Sequence, residues 1–297
     1  MRAILPRMST SDTAPRPLEI PAPIGEPRAD ALRKLVAIVD RLRAPDGCPW
    51  DREQTVATTA PHLVEESHEL VEAIENGDEP HTVEEAGDLL MGIVLLARIA
   101  EQGGRFDLAA IANGVSEKLV RRHPHVFGDV RAATAEEALK NWDAIKRGER
   151  EAKREDSSAL AGVPVALPAL QRAQRVGNKA ISAGFRWDTV RGALAKVHEE
   201  VGELAHEVEA AGLAGERDVK PTDEQRARLE HELGDVLIAA AFLGNYLKID
   251  PERAARAAIR RFDQRFRSME GSLGKPLASC TLPEMMAAWQ RAKSAIG

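Results

Sequence analysis

Aromatic residues are scarce in this 297-residue chain: four Trp, six Phe and one Tyr make up 4% of it. Sheets draw on aromatic and β-branched side chains, so the shortage, beside abundant Ala, Leu, Glu and Arg, argues against strands and for helices. Only two cysteines occur, Cys48 and Cys280, in no paired spacing. That excludes a disulfide scaffold or a thiolate zinc site and fits reduced thiols in the cytoplasm. A basic excess is also missing: Lys plus Arg number 41 against 47 Asp plus Glu, a net charge of −6. Phosphate neutralisation along a polymer needs a basic surface, so no nucleic-acid polymer is expected as partner. No apolar run reaches the roughly 18–20 residues that span a bilayer, so no membrane partner is expected either. The N-terminus has no apolar stretch of the signal-peptide kind.

What is present is periodic. Residues 1–28 are rich in Pro, Ser and Thr without periodicity and read as a flexible tail, with Met8 a second candidate start. Helical spacing begins near Ala29, where Leu32, Leu35, Val36, Val39 and Leu42 share a face. The loop "APDGCPWD" (44–51) follows, then a glutamate-rich helix to about Glu75. After the turn "NGDEPH" a second helix is expected from Thr82 to about Gln102, with others over 107–123 and 134–147. "EREAKREDSS" (149–158) and "LAGVPVALP" (160–168) read as a linker, set at 149–165.

Then the pattern starts again. A helix from about Pro168 leads to "SAGFRWD" (182–188), so Trp50-Asp51 answers to Trp187-Asp188. The glutamate helix recurs at 189–210. "EEAGDLL" (84–90) recurs as "HELGDVL" (231–237), and "WDAIK" (142–146) as "WQRAK" (289–293). The order is kept, and one insertion within "AGERDVKPTDEQRA" (214–227) explains the longer spacing of the later pairs. This is an internal duplication with a period too long for a solenoid. Each copy, 29–148 and 166–297, is expected to be a small helical domain.

The repeated acids carry the chemistry. Glu66 and Glu69 lie three apart on one helical face, and Glu85 and Asp88 share a face of the next helix. Glu200, Glu203, Glu232 and Asp235 repeat the pattern in the second copy. If each helix pair packs antiparallel, four carboxylates gather at one spot. Clustered anions raise one another's pKa, and a divalent cation relieves that. All-oxygen ligands select Mg²⁺ or Mn²⁺. Two plainer readings compete. An E-E-x-x-E helix is often only a solvated face, and Thr82-x-x-Glu85 fits a capping box. Recurrence weakens both, because the position that answers to Thr82 is Leu229, yet Glu232 persists. A di-iron reading of Glu65-x-x-His68 and Glu203-x-x-His206 fails on register, since the two fall at non-equivalent positions of the repeat. Basic residues follow each acidic pair: Lys118 with Arg122, and Arg261 with Arg265, one turn apart. Such pairs suit phosphate oxygens beside a metal.

Together G-x-x-W-D, E-E-x-x-E, E-x-G-D, "KLVRRHPHVF" and W-x-x-x-K strongly resemble the MazG family, nucleoside triphosphate pyrophosphohydrolases of the all-α NTP pyrophosphatase superfamily. The resemblance spans about residues 29–297 and implies an all-α fold of two tandem four-helix-bundle-like repeats that dimerise. It implies cleavage of (d)NTP to (d)NMP and pyrophosphate with Mg²⁺, cleansing the nucleotide pool. Carried onto this chain, it implies metal ligands Glu200, Glu203, Glu232 and Asp235, and Glu66, Glu69, Glu85 and Asp88. Nucleotide contacts would fall on Lys196, Arg228, Arg261, Arg265, Trp289 and Lys293, with Lys118, Arg122, Trp142 and Lys146 in the first copy. The chain departs from the family at Ile259, where Asn is frequent, and at Arg261, where Lys is common.

A metal-activated water oriented by Glu199 or Glu200 would attack the α-phosphorus. Cys48, His123 and His125 read as structural. The alternative is a helical protein that senses nucleotide or binds a partner without turnover. "LLMGIVLLARIA" (89–100) and "VLIAAAFLGNYL" (236–247) are apolar almost all round, so repeats are expected to pair, most simply in a homodimer. The second repeat is expected to dominate hydrolysis. It carries Lys196 and Arg228 one turn before its ligands, where the first has His62 and His81.

Overall fold

The computed structural model describes residues 22–152, 156, 158–215 and 220–297. Residues 1–21 of the expected tail, part of the linker and 216–219 of the insertion lie outside the described residues. Every regular element among the described residues is helical. The chain forms two compact units, Met1–Gly148 and Glu149–Gly297.

In the first unit α1 (Pro27–Leu42) starts two residues before the expected onset at Ala29, because Pro27 suits the first helical turn. It leads through the one-turn α2 (Pro49–Glu53) to α3 (Val56–Asn76). Gly47 allows that loop, since a Cβ there would collide with the carbonyl oxygens of Arg41 and Leu42. Arg43 clamps the loop by donating Nη1–H to the carbonyls of Asp51 and Gln54 and Nε–H to Gln102. Thr55 and Thr58 close a capping box at the start of α3, and Gly77, at φ 69°, ends it in the left-handed region. The turn returns the chain as α4 (Glu79–Gln102), so α3 and α4 pack as an antiparallel hairpin with α1 against α4. Val39, Val94, Leu95 and Ile99 form the core, flanked by Leu35, Val36, Val56, Met91 and Leu108. α5 (Leu108–Arg122), α6 (Pro124–Phe127) and α7 (Ala135–Ala152) complete the unit's elements. α7 runs past residue 149, where the linker was expected to begin.

The second unit repeats the plan. α8 (Ala169–Ser182) packs on α10 (Asp223–Leu247), and α10 pairs with α9 (Val190–Ala210). α11 (Pro251–Leu273) and α12 (Leu282–Ile296) form a second hairpin, joined by a 3₁₀ turn at Leu277–Ser279. Met269, Ala288 and Ala292 are its buried centre, with Phe266, Leu273, Leu277, Met285 and Trp289 around them. α11 lies against α8 and meets α10 where Gly244 approaches Pro251.

The competing capping-box reading at Thr82 does not hold. Asp78 is the N-cap of α4, accepting from the His81 backbone N–H, and Thr82 sits inside the helix, donating its hydroxyl to the Asp78 carbonyl. Glu85 therefore has no capping duty. Several apolar side chains of these helices face out: Val64, Val71 and Ile74 on α3, and Leu233, Leu237 and Ile238 on α10, are exposed. Among the described residues no helix is long and apolar enough to cross a membrane.

Candidate functional site

Each helix hairpin gathers carboxylates at one place. In the first repeat Glu66 of α3 faces Glu85 and Asp88 of α4, with one oxygen from each within 4.8 Å of the others. In the second, Glu200 and Glu203 of α9 face Glu232 of α10 within the same limit. The i, i+3 spacing aligns acids along one helix, and the antiparallel pairing brings the second helix's acids opposite. Glu66 and Glu200 hold one equivalent position, and Glu85 and Glu232 another. The third member differs: Asp88 closes the first cluster and Glu203 the second. Glu69 and Asp235 stay outside these triads. Asp235 lies 3.6 Å from His231 Nδ1, whereas Glu69 still acts on Glu66 through its charge. Neither His68 nor His206 joins a cluster.

Both clusters sit on partly dry ground. Glu85 is 8% exposed and Glu200 6%. Burial raises the Glu66 pKa above the ordinary carboxylate value, and the charges of Glu69, Asp88, Glu85 and Glu65 push it further. In the second repeat Lys196 holds the Glu200 carboxyl below its usual range by a hydrogen bond, against the opposing effect of burial. Glu203, hydrogen-bonded to Glu200, is pushed up by that contact and by burial. Close-set carboxylates suit a hard divalent cation, which supplies the positive charge they lack. The donors are all oxygens, as Mg²⁺ or Mn²⁺ requires.

The basic residues fall into separate groups. Lys196 Nζ lies 2.7 Å from a carboxylate oxygen of both Glu199 and Glu200, and these partners raise its pKa. Arg228 reaches across the hairpin to Glu207 at 2.9 Å and back to Glu224 at 2.9 Å, so its described ion pairs do not include Glu232. In the first repeat His81 Nε2 lies 2.7 Å from Glu85, and His62 lies 4.0 Å from Glu65. Arg122 and Lys146 both stand over the Trp142 ring, at 5.3 and 4.8 Å, which joins α5 to α7. Lys118 is exposed on α5. On the α11–α12 hairpin Phe262 stacks on Phe266 and tilts against Trp289 at 5.2 Å. Arg261 is exposed nearby on α11, and Lys293 lies in the last turn of α12. Arg265 donates to the carbonyl of Gly297. These residues form a platform on α11–α12, whereas the acids lie on the α9–α10 pair.

Sequence reasoning missed the surroundings of the first cluster. Beside Glu66 and Asp88 opens a cavity of about 100 Å³ whose walls include Trp50, Gln54, Thr59, His62, Leu63 and Met91. The recurrent W-D pair signalled Trp50 but not that its ring edges a void.

The chain is similar in sequence to known proteins. The MazG nucleotide pyrophosphohydrolase domain matches twice, at residues 54–127 and 189–269. A nucleoside triphosphate pyrophosphohydrolase of Escherichia coli K12 is 39% identical over 266 residues, covering 88% of this chain and 97% of its own. The nucleoside triphosphate pyrophosphohydrolase/pyrophosphatase MazG of Thermotoga maritima is 36% identical over 265 residues, 88% of this chain and 95% of its own. The YabN protein of Bacillus subtilis is 38% identical over 260 residues, which is 86% of this chain but 50% of that protein.

Proposed function

We propose, from the premise that the chain belongs to the MazG nucleotide pyrophosphohydrolase family, that its carboxylate clusters are Mg²⁺-dependent sites that cleanse the nucleotide pool. The protein is a hydrolase of nucleoside triphosphates, releasing pyrophosphate and a nucleoside monophosphate. The observation that carries the metal reading is the pair of triads, Glu66–Glu85–Asp88 and Glu200–Glu203–Glu232, at matching places in the two repeats. Mg²⁺, when bound there, supplies the positive charge that polarises phosphoryl oxygens and lowers the pKa of water. Mn²⁺ is a fitting substitute.

The chain's own groups do the rest. Lys196, tethered between Glu199 and Glu200, is a cation that exchanges its carboxylate partners for a phosphate oxygen when the polyphosphate arrives. That exchange frees the carboxylate of Glu199, 58% exposed in its side chain, to take the proton of an attacking water. Trp289 with Phe262 and Phe266 offers an aromatic cluster flanked by Arg261, Arg265 and Lys293, suited to a nucleotide's base and phosphates. Arg228 orders the α9–α10 hairpin through Glu207 rather than answering Glu232. The exposed apolar residues Val64, Val71 and Ile74 on α3, with Leu233, Leu237 and Ile238 on α10, suit a pairing of repeats, and a homodimer is the arrangement we favour. Light scattering that gave a monomer would exclude pairing between chains.

The test is incubation of the protein with each of the eight common (d)NTPs and Mg²⁺, with assay of pyrophosphate and orthophosphate. Pyrophosphate that vanishes with EDTA supports the proposal. Binding without turnover would support the sensing alternative, and orthophosphate would mean cleavage at a terminal phosphate.

A further inference from the structure

The two repeats differ around the tryptophan of the W-D pair. In the second, the conserved order places Trp187 in a closed setting. Its backbone N–H donates to the Tyr246 hydroxyl at 2.8 Å, that hydroxyl donates back to the Trp187 carbonyl at 3.2 Å, and the two rings meet edge-on. Phe242 packs beside it against α8, where Gly177, Ala180, Ile181 and Phe185 border a separate space of about 10 Å³. The register that matches Glu85 with Glu232 matches Ile99 with Tyr246, Leu95 with Phe242, and Gly92 with Ala239. The first repeat thus lacks the hydroxyl tether and carries a smaller residue at each of the last two positions. Leu95 and Gly92 both line the void of about 100 Å³. A Cβ on Gly92 would lie 2.9 Å from Leu63 Cδ2 and drive that side chain into the space.

We propose that this cavity is a pocket for a single-ring base, so that the first repeat takes pyrimidine nucleoside triphosphates in preference to purine ones. The inference rests on the nucleotide-hydrolase reading and names the substrate class of one of its two sites. Size is the first argument. An apolar cavity of about 150 Å³ holds one benzene ring, so about 100 Å³, opening to solvent, encloses at most one six-membered ring. Chemistry is the second. Trp50 gives a ring face, 55% exposed and set edge-on to His62 at 5.9 Å, on which a base can stack. Leu63, Met91 and Leu95 give an apolar floor, while the His62 ring, the Gln54 amide and the Thr59 hydroxyl can meet the polar edge of a base. Position is the third, because Glu66 and Asp88 line the same cavity and would hold the metal-bound phosphates of the molecule whose base it encloses. The wall is built in advance. Arg43 fixes the carbonyls of Asp51 and Gln54, and the Gln54 amide donates to the Trp50 carbonyl at 3.1 Å.

The experiment uses the full chain with Glu203→Ala, which breaks the second cluster, and titrates it calorimetrically with Mg²⁺ and non-hydrolysable α,β-imido dCTP or α,β-imido dATP. The pyrimidine analogue is expected to bind roughly tenfold more tightly, the scale on which a pocket rejects excess bulk. Adding Leu95→Phe, the residue of the second repeat, should level the two affinities to within about threefold by filling the pocket. Gly92→Ala, a smaller change, should move the ratio the same way should Leu95→Phe fail to fold by circular dichroism. Equal binding of the two analogues, binding of neither, or a preference that survives both substitutions overturns the inference. Pyrophosphate release by the wild-type chain is measured separately. Its absence would sink the hydrolase reading, whereas release combined with equal binding would sink only the pocket.

Discussion

Lys196 and Glu200, one helical turn apart on α9, share an ion pair of 2.7 Å, and Glu200 is almost fully removed from water. The lysine therefore competes with a cation for the same carboxylate when nucleotide is absent. Replacing it by Met is expected to raise KM for the nucleotide about tenfold or more, because a charge-assisted phosphate contact is lost. Mg²⁺ affinity of the free protein should stay level or tighten. Calorimetric titration of Mg²⁺ beside steady-state kinetics checks both, and a loss of Mg²⁺ affinity with unchanged KM would contradict the assignment.

The first cluster makes a pH prediction. Burial, then the charges of Glu69, Asp88, Glu85 and Glu65, raise the Glu66 pKa in the folded state above its unfolded value. A folded chain that binds this proton more tightly loses stability as pH rises from the ordinary carboxylate pKa through the raised one. Above that window the loss is complete, so at neutral pH the metal-free protein carries the whole penalty. Mg²⁺ should then raise Tm at pH 7, and do so much less below pH 4.5. Glu66→Gln should raise the Tm of the metal-free protein at pH 7 and shrink the Mg²⁺ response. Scanning calorimetry with EDTA and with Mg²⁺ checks this, and a lower Tm for Glu66→Gln would refute it.

Much of this was legible in the chain because duplication printed each signal twice. The W-D pair, the E-E-x-x-E run and E-x-G-D fixed the hairpin helices and four of the six acids at equivalent places in the two triads, Glu66 with Glu200 and Glu85 with Glu232. Helical periodicity cannot say which of the remaining acids closes each triad, because Asp88 and Glu69 lie on the same faces as their partners and side-chain rotation decides. Arg228 illustrates a second limit. Spacing offered Glu232 at i+4 as partner, but the antiparallel neighbour α9 brought Glu207 as close, a contact no local pattern contains. Thr82 matched a capping box, yet Asp78, four residues earlier and beside a Pro at the second helical position, took the cap. The cavity at Trp50 was invisible for a similar reason, since it depends on Leu95 and Gly92 being small across the hairpin.

The second hairpin core supplies a stability prediction. Met269 is 4% exposed and packs among Ala288, Ala292 and neighbouring apolar side chains. Met269→Ala should cost about 2–4 kcal/mol of unfolding free energy through lost burial and a residual void. Urea denaturation read by circular dichroism measures it, and a change below about 0.5 kcal/mol, the level of an ordinary surface substitution, would show that this core does not hold α11 to α12.

The division of labour between repeats follows from Lys196 standing where the first repeat has His62. Glu203→Ala is expected to lower turnover on a mixed dNTP pool about 100-fold or more, the scale of removing a positioned electrostatic group. Glu66→Ala should lower it less than about threefold, and chiefly for pyrimidine substrates. Turnover that survives Glu203→Ala but is lost in Glu66→Ala would reverse the assignment.

Where water attacks decides the central claim. Hydrolysis of dATP by the wild-type protein with Mg²⁺ in ¹⁸O-labelled water, followed by mass spectrometry of the products, reads it directly. Attack at the α-phosphorus places the label in dAMP and leaves pyrophosphate unlabelled, and that is the predicted result. Label in pyrophosphate, or labelled orthophosphate with dADP, would contradict it.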